Sequence, residues 1–159
     1  MENNHDREEL TMANIQIIVG SMLGGTEYVA EACEESLLTL DHHVKIHLQP
    51  DYSNIPAVDQ IWLICCSTHG AGDLPDNIHK FVDDLIVDKS NLGTTSFMII
   101  GVGDSNYDTF CYAAKKIEKI LISRGCVKLL PLLTLDMKED IDPEDLAQQW
   151  IIKNKDLLS

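Results

Sequence analysis

The stretch Gly20–Glu27, which reads GSMLGGTE, places glycines and hydroxyl residues between an apolar run, Ile15–Val19, and a helix-period segment, Tyr28–Leu40. A strand, a small-residue loop and a helix together make an anion site, because the loop N–H groups and the positive helix end point at one spot. The loop contains no Lys or Arg, so hydroxyls and backbone N–H groups alone would hold a phosphate. The same residues would also make an ordinary glycine-rich turn.

Two better-known phosphate loops are excluded at this position. The nucleotide P-loop requires a Lys after its last Gly, whereas Thr26 follows Gly25 here. The dinucleotide fingerprint requires the spacing G-x-G-x-x-G, which Gly20, Gly24 and Gly25 do not have. The stretch therefore predicts a phosphate site of another kind.

Two further loops are rich in Gly, Ser, Thr and Asp. Ser67–Pro75 follows the run Ile61–Cys66, and Gly103–Thr109 follows Phe97–Val102. Nearly unbroken apolar runs of this length are typical of strands covered on both faces of a parallel sheet. Because the carboxyl ends of parallel strands share one edge, we expect all three loops to meet there and to form a binding site.

Strands alternate with helices along the chain, which predicts a doubly wound α/β fold with helices on both faces of the sheet. With five strands the order 2-1-3-4-5 is favoured, and ligands then bind beyond strands one, three and four. Apolar residues expected to face the core include Ile86, Leu146 and Leu157. The predicted strands are Ile15–Val19, Val44–Leu48, Ile61–Cys66, Phe97–Val102 and Val127–Leu135, and the predicted helices are Tyr28–Leu40, Asn77–Val87, Phe110–Arg124 and a final helix capped by Asp142.

The chain of 159 residues is acidic, with 26 acidic against 12 basic residues and a formal net charge of -14. This charge argues against nucleic acid and anionic membranes as partners and favours a basic protein partner. The length fits one domain over residues 12–159 and a monomer, whereas the polar segment Met1–Thr11 has no apolar period and is predicted to be a disordered extension.

The five cysteines form no C-x-x-C motif, and their number is odd. Most lie in apolar segments, which favours reduced structural thiols in a cytoplasmic protein. His42, His43 and His47 have no matching Cys or carboxylate spacing, so no metal is predicted there. We interpret them as a solvated turn that enters an edge strand.

Taken together, the three loops resemble those of flavodoxins, most closely the small MioC-type FMN proteins. The first loop sits where flavodoxins carry a T-x-T-G-x-T phosphate loop. The second, STHGAGDLPDN, is similar to the S-T-x-G-x-G-x-x-P-D-N loop in the FMN domains of diflavin reductases, and GVGDSNYDTFC resembles their third flavin loop. The resemblance runs from about Met12 to the C-terminus and implies a three-layer sandwich with a five-stranded parallel sheet.

The resemblance implies that FMN is the cofactor. The first loop would bind its phosphate and the other two would enclose the isoalloxazine ring. Tyr107 matches the stacking tyrosine of the family, and Gly70 matches the glycine whose peptide turns towards flavin N5, a rotation that costs least without a Cβ. The implied FMN-binding residues are Ser21, Met22, Leu23, Gly24, Gly25, Thr26, Ser67, Thr68, His69, Gly70, Gly103, Asp104, Tyr107, Phe110 and Cys111.

Two departures from the family pattern bear on affinity. Leu23 and Gly25 replace a hydroxyl and an amide residue, which leaves fewer side-chain donors for the phosphate. His69 stands where many relatives place a larger aromatic residue over the ring. We therefore expect a modest affinity for FMN.

The resemblance implies an electron carrier, reduced by a separate reductase and oxidised by an acceptor enzyme, rather than an enzyme in its own right. Two alternatives stay open: an FMN-dependent quinone reductase, and a flavin-free interaction protein on the same fold. A phosphorylated receiver domain is disfavoured, because Ser67-Thr68 stands where that class needs an Asp. Acidic residues in and beside the loops, such as Asp104 and Asp108, are expected to steer a basic redox partner to the exposed ring edge.

Overall fold

The computed structural model describes residues 12–21 and 25–159. Within these residues, the segments with a regular apolar pattern form four helices and six short strands. The predicted extension 1–11 and three loop residues, Met22, Leu23 and Gly24, lie outside the described residues. The strands are β1 (Asn14–Gly20), β2 (His43–His47), β3 (Ile61–Ser67), β4 (Ser96–Gly103), β5 (Val127–Lys128) and β6 (Leu133–Asp136). The helices are α1 (Gly25–Thr39), α2 (Asp76–Val87), α3 (Tyr112–Ser123) and α4 (Pro143–Lys153), with 3-10 turns at Tyr52–Asn54 and Lys155–Leu157.

The strands form one parallel sheet in the order β2-β1-β3-β4-β5, and β6 also pairs with β4. β5 aligns Val127 with Ser96, and β6 aligns Leu133 with Ile100 further along the same edge of β4. The two segments therefore occupy a single fifth position, divided around Pro131, which has no N–H to donate to a ladder. The predicted order 2-1-3-4-5 and the interrupted edge strand are confirmed.

Helices cover both faces of the sheet, which gives three layers and two apolar cores. Ile18, Ile64 and Ile99 point to one face, where they join α2 and α3. Alternate residues such as Ile17 and Leu63 point to the other face, where they join α1 and α4. β1 and β3 are thus buried on both sides, which explains their nearly unbroken apolar sequences.

Cysteine thiols are distributed over both cores, and all five cysteines are free and buried. A hydrogen bond with Cys33 of α1, together with burial, raises the pKa of Cys65. The next residue, Cys66, points to the opposite face, and desolvation raises its pKa to about 12. These thiols serve as core packing groups.

Three apolar residues predicted to face the core are instead exposed: Ile86 by 45%, Leu146 by 39% and Leu157 by 48%. Ile86 follows the fully buried Leu85, and Leu146 precedes the fully buried Ala147. Each step of one residue along a helix turns the side chain by about 100° around the helix axis. Leu157 lies in the 3-10 turn after α4, where the period of 3.6 no longer applies. The predicted helices were right, but these three orientations were wrong.

The interpretation of the histidines as a solvated turn was wrong for His42, which is 6% exposed. Its Nδ1 accepts a hydrogen bond of 2.9 Å from the N–H of Ala13, and desolvation lowers the pKa of the ring. His47 in β2 contacts the side chain of Gln16 on β1 at 2.7 Å. These two rings therefore join the N-terminal part of the sheet to its edge.

The side-chain amide of Asn77 joins three backbone segments beside the predicted site. Its Nδ2 donates to the carbonyl oxygens of Val19, at 2.8 Å, and Leu48, at 3.0 Å. Its Oδ1 accepts from the N–H of Ser21 at 2.9 Å. The start of α2 is thereby fixed to the carboxyl ends of β1 and β2 and to the beginning of the first loop.

We expect Asn77→Ala to destabilise the fold by about 1–3 kcal/mol, because the partly buried Val19 carbonyl loses its donor and Ser21 loses an acceptor. Urea unfolding would measure the loss. Asn77→Asp should remain destabilised, since a carboxylate cannot donate to the two carbonyls. His79→Ala, a change on the exposed face of the same helix, is the control, and an equal loss in both helix variants would contradict the role given to Asn77.

A second polar cluster joins the other end of α2 to its neighbours. The hydroxyl of Tyr52 donates to Asp88, the residue that caps α2, and the ring of Tyr52 packs 5.8 Å from that of Phe81. The hydrogen bond from Tyr52, with further bonds from Ser90, lowers the pKa of Asp88 to about 2. Arg124, at the end of α3, donates to the carbonyl oxygens of Leu85 and Ser90.

Because the pKa of Asp88 is lower in the folded state than its usual value of 3.8, its contribution to stability is present above pH 4 and is lost as the pH falls towards 2. Tyr52→Phe removes the largest cause of the shift, so stability should depend less steeply on pH between 4 and 2. Urea midpoints across that range would show it. Tyr112→Phe, which removes an exposed hydroxyl, should leave the acid slope unchanged.

Candidate functional site

The first loop reaches the edge of the sheet at the N-terminal end of α1. Ser21 follows β1, and Gly25 and Thr26 form the first turn of α1, with the side chain of Thr26 buried. All three line a cavity of about 390 Å³. Hydroxyls and the N–H groups of a helix terminus at this place can bind an anion without a charged side chain.

The second loop lies between the first and third loops. Ser67 and Thr68 line two adjoining cavities, and the Thr68 hydroxyl accepts a hydrogen bond from the N–H of Ala113 at 3.2 Å. Beyond them His69 and Asp73 exchange two backbone hydrogen bonds of 2.8 Å, which close a narrow turn. Within this turn Gly70 has a φ of +52°, and a Cβ built on it would meet no atom within 4 Å. Gly70 therefore lines the groove with open space at its Cα, and its carbonyl accepts a long hydrogen bond of 3.4 Å from the Thr109 hydroxyl.

The third loop is a hydrogen-bonded turn that presents an aromatic ring. The Asp104 carboxylate accepts from the N–H of Asn106 at 2.8 Å, and the Asp104 carbonyl accepts from the N–H of Tyr107 at 3.1 Å. Asp136 of β6 accepts from the N–H of Ser105 at 2.9 Å, and bonds to Ser105 lower the pKa of Asp136. The turn leaves Tyr107 67% exposed at the mouth of the site.

Cys111, the residue before α3, adopts a left-handed conformation with φ 56° and ψ 25°. This costs about 1–2 kcal/mol for a residue with a Cβ. In this conformation the Cys111 sulfur packs directly on the backbone of β4. A Cβ on Gly101 or Gly103 would lie only 3.2 or 3.1 Å from that sulfur. A Cβ on Gly103 would also lie 3.0 Å from the ring of Phe110. The two glycines therefore allow Phe110 and Cys111 to form one wall of the site.

Two adjoining cavities form one continuous groove along the carboxyl edge of the sheet. The ring cavity, of about 450 Å³, lies between the second and third loops, and the loop-one cavity is the one of about 390 Å³ described above. Ser67, Thr68, Val102 and Met137 line both. Every predicted site residue within the described part of the chain lines the groove: Ser21, Gly25, Thr26 and His69 in the loop-one cavity, Gly70, Gly103, Asp104, Tyr107, Phe110 and Cys111 in the ring cavity, and Ser67 and Thr68 in both.

The groove also contains residues that sequence reasoning missed. Met137, whose N–H donates to the carbonyl of Gly103 at 2.7 Å, lies where the two cavities join. Tyr28, Val29, Pro143 and Glu144 complete the loop-one cavity. Met137 and Glu144 follow the fifth strand, whose carboxyl end borders the same edge. The position of that strand was the signal that could have found them.

The electrostatic character of the groove is neutral to acidic. Among the described residues that line it there is no Lys or Arg, and the carboxylates are Asp104 in the ring cavity and Glu144 in the loop-one cavity. In residues 12–21 and 25–159, no group of three His, Cys, Asp or Glu side chains is placed to hold a metal ion. In the same ranges no helix is long and apolar enough to cross a membrane.

Comparison with known proteins places this geometry in a family. The family model described as Flavodoxin matches residues 17–150. The chain is 42% identical over 137 residues to a protein MioC homolog of Pasteurella multocida, covering 86% of this chain and 92% of that protein. It is 40% identical over 140 residues to protein MioC of Escherichia coli K12, covering 88% and 95% of the two chains.

A solved structure has the same fold. A mutant of flavodoxin from Pseudomonas aeruginosa, in which one cysteine is replaced by alanine, superposes with a TM-score of 0.83 at 26% identity. The superposition covers 91% of this chain and 98% of that one, so it includes the sheet and both helical layers. This chain belongs to the flavodoxin family.

Proposed function

We propose that the groove binds FMN and that the protein carries electrons from a reductase to an acceptor enzyme. The observation that carries this proposal is the meeting of three loops in two adjoining cavities of about 450 and 390 Å³. These volumes lie within the ~300–1,000 Å³ range of small-molecule sites. An aromatic residue, Tyr107, lines one cavity, and the helix terminus at Gly25 lines the other, which suits a ligand with a ring at one end and an anion at the other.

The loop-one cavity fits the phosphate end of FMN. Ser21 and Thr26 supply hydroxyls, and the first turn of α1 supplies N–H groups that no carbonyl within the helix can accept. The set resembles an anion site of neutral donors, whose strength depends on the helix terminus rather than on a charged side chain. Glu144 opposes a phosphate at this place, which agrees with the modest affinity expected from the sequence.

The ring cavity fits the flavin ring. Phe110 and Cys111 form one wall, and Tyr107 lies at the mouth. The absence of a Cβ at Gly103 leaves room for the Phe110 ring and the Cys111 sulfur beside β4. Burial raises the pKa of Cys111 to about 11, so its thiol is neutral near pH 7 and packs as an apolar group beside the ring. His69 lines the loop-one cavity instead, so Tyr107 would supply most of the aromatic contact.

When bound, FMN supplies the chemistry of accepting and releasing electrons. The residues of the chain orient the ring, limit its contact with water and leave one edge open between Tyr107 and Gly70. Rotation of the Gly70 peptide would offer either its carbonyl or the following N–H to the ring; it meets no Cβ penalty and breaks only the long hydrogen bond of 3.4 Å from the Thr109 hydroxyl to the Gly70 carbonyl. A basic surface on the partner would approach this edge, where Asp104 and Asp108 favour positive charge.

The protein should bind FMN at least tenfold more tightly than riboflavin, because only FMN carries the phosphate that the first loop can accept. Titration of the apoprotein with each flavin, followed by the quenching of flavin fluorescence, measures both affinities. Equal affinities would show that the first loop does not bind phosphate. Steady oxidation of NAD(P)H by the purified protein alone would favour the quinone reductase alternative.

Glu144→Gln provides a charge control for the same titration. Removing the carboxylate from the loop-one cavity should tighten FMN binding and leave riboflavin binding unchanged, because only the phosphate is repelled. Glu139→Gln, outside the residues that line the groove, removes the same charge and should have the smaller effect. A similar gain for both flavins would place the carboxylate next to the ring rather than the phosphate.

Tyr107→Ala should weaken FMN binding more than His69→Ala does. An aromatic ring stacked on a flat heterocycle is worth ~1–3 kcal/mol, by analogy with bases on protein aromatics, and the two residues line different cavities. Tyr107→Phe, which keeps the ring, should retain most of the affinity. A larger loss for His69→Ala would mean that the flavin ring lies mainly against the second loop.

A further inference from the structure

A basic groove lies beside the ring cavity and takes no part in the site described above. It is lined by Gly72 of the second loop and by Tyr112, Lys115, Lys116 and Lys119 of α3, and its volume is about 540 Å³. The four helical residues recur at i, i+3, i+4 and i+7, so they form one stripe along the helix. We call this feature the lysine groove.

The lysine groove concentrates positive charge that no described carboxylate neutralises. Two lysines elsewhere do have carboxylate partners: Lys80 lies 3.0 Å from Asp84, and Lys128 lies 3.6 Å from Glu118. Within residues 12–21 and 25–159, the ammonium groups of Lys115, Lys116 and Lys119 make no such ion pair. A chain with only 12 basic residues thus leaves three of them together, exposed and available to an anionic partner.

Packing connects the lysine groove directly to the ring cavity. The Nζ of Lys115 lies 5.9 Å from the ring centroid of Phe110 and 5.7 Å from that of Tyr112. Phe110 lines the ring cavity. At Gly72, where φ is +102°, a Cβ would lie 3.2 Å from the Tyr112 ring, so glycine lets the second loop lie against α3. Whatever occupies the lysine groove is therefore adjacent to the site that exchanges electrons.

We infer that the lysine groove docks an acidic segment of the redox partner protein. This inference rests on the proposed electron-transfer function. The three lysines lie within four residue steps of the helix and span about 6 Å along its axis, the length of roughly two residues of an extended chain. All three lysines are exposed along the helix surface, which suits a protein segment better than a small anion enclosed on several sides.

The consequence is a docking face that carries both signs of charge. Asp104 and Asp108 lie on the third loop, and the lysine groove lies on the adjoining helix. A partner that presents basic residues to the loop and acidic residues to the helix fits in one orientation only, because rotation by half a turn would oppose like charges. The lysines therefore select the orientation of approach as well as the partner.

The test uses isotope-labelled protein, as purified and after saturation with FMN, and an N-acetylated hexaglutamate peptide at low salt. We expect the backbone amide signals of Gly72, Tyr112 and Lys115 to shift with peptide. The triple variant Lys115→Gln, Lys116→Gln, Lys119→Gln should bind about tenfold more weakly, because three exposed charge contacts are lost and each is weak alone. Binding should also fall as salt rises to physiological strength, where the Debye length is ~8 Å.

The matched control is the triple variant Lys89→Gln, Lys153→Gln, Lys155→Gln. It makes the same change in net charge at exposed positions that do not line the lysine groove, and it should bind hexaglutamate as the unchanged protein does. Replacing the three groove lysines by Arg should restore binding. Unchanged thermal unfolding of all three variants shows that the fold is intact.

Equal weakening in the control would overturn the inference, because net charge alone would then explain the binding. Pyrophosphate binding the groove as tightly as hexaglutamate would also overturn it, since the groove would then be a small-anion site. Peptide binding to protein that fails to take up FMN would support the lysine groove as a docking site for acidic segments but overturn the proposed electron-transfer function. FMN binding without a peptide response in the groove would overturn the docking inference alone.

Discussion

The arrangement of the groove depends on one side-chain amide at the start of α2. Through Asn77, the carboxyl ends of β1 and β2, the first residue of the first loop and the helix after the second loop share one set of hydrogen bonds. Strand ends in a parallel sheet leave backbone groups without ladder partners, and here a helix supplies them. The beginning of the first loop, at Ser21, is therefore held to the sheet and to α2 by the same side chain.

The described residues that line the groove offer no positively charged side chain to the anion that we propose it binds. Hydroxyls and a helix terminus bind through short-range geometry, so they distinguish a phosphate ester from an uncharged analogue while giving limited affinity. The positive side chains of the region lie outside the groove, on α3, where Lys115 lies beside the rings of Phe110 and Tyr112, and the ring cavity itself is neutral to acidic. On the proposed function, cofactor binding and partner recognition would therefore depend on separate groups.

Strand order and loop positions could be predicted because apolar runs such as Ile61–Ser67 and the break at Pro131 are local signals. The clustering of the loops followed from parallel pairing alone. For Met137 and Glu144 the position of the fifth strand gave only the right edge of the sheet, and their place in the groove depends further on how that strand ends and α4 begins. The helical spacing of Lys115, Lys116 and Lys119 is visible in the sequence. The lysine groove also depends on the contact between Gly72 and Tyr112, which joins two distant segments of the chain.

The placement of the cysteines makes the two cores separately observable. Cys33 and Cys65 belong to the core under α1 and α4, whereas Cys66 and Cys126 belong to the core under α2 and α3. Because all four thiols are buried, alkylating reagents can reach them only after the covering structure has moved away, and the raised pKa of Cys66 and Cys126 slows their reaction further. Peptide-level rates of thiol labelling would therefore report the opening of each layer independently, and would reveal whether a bound ligand holds both layers or only one.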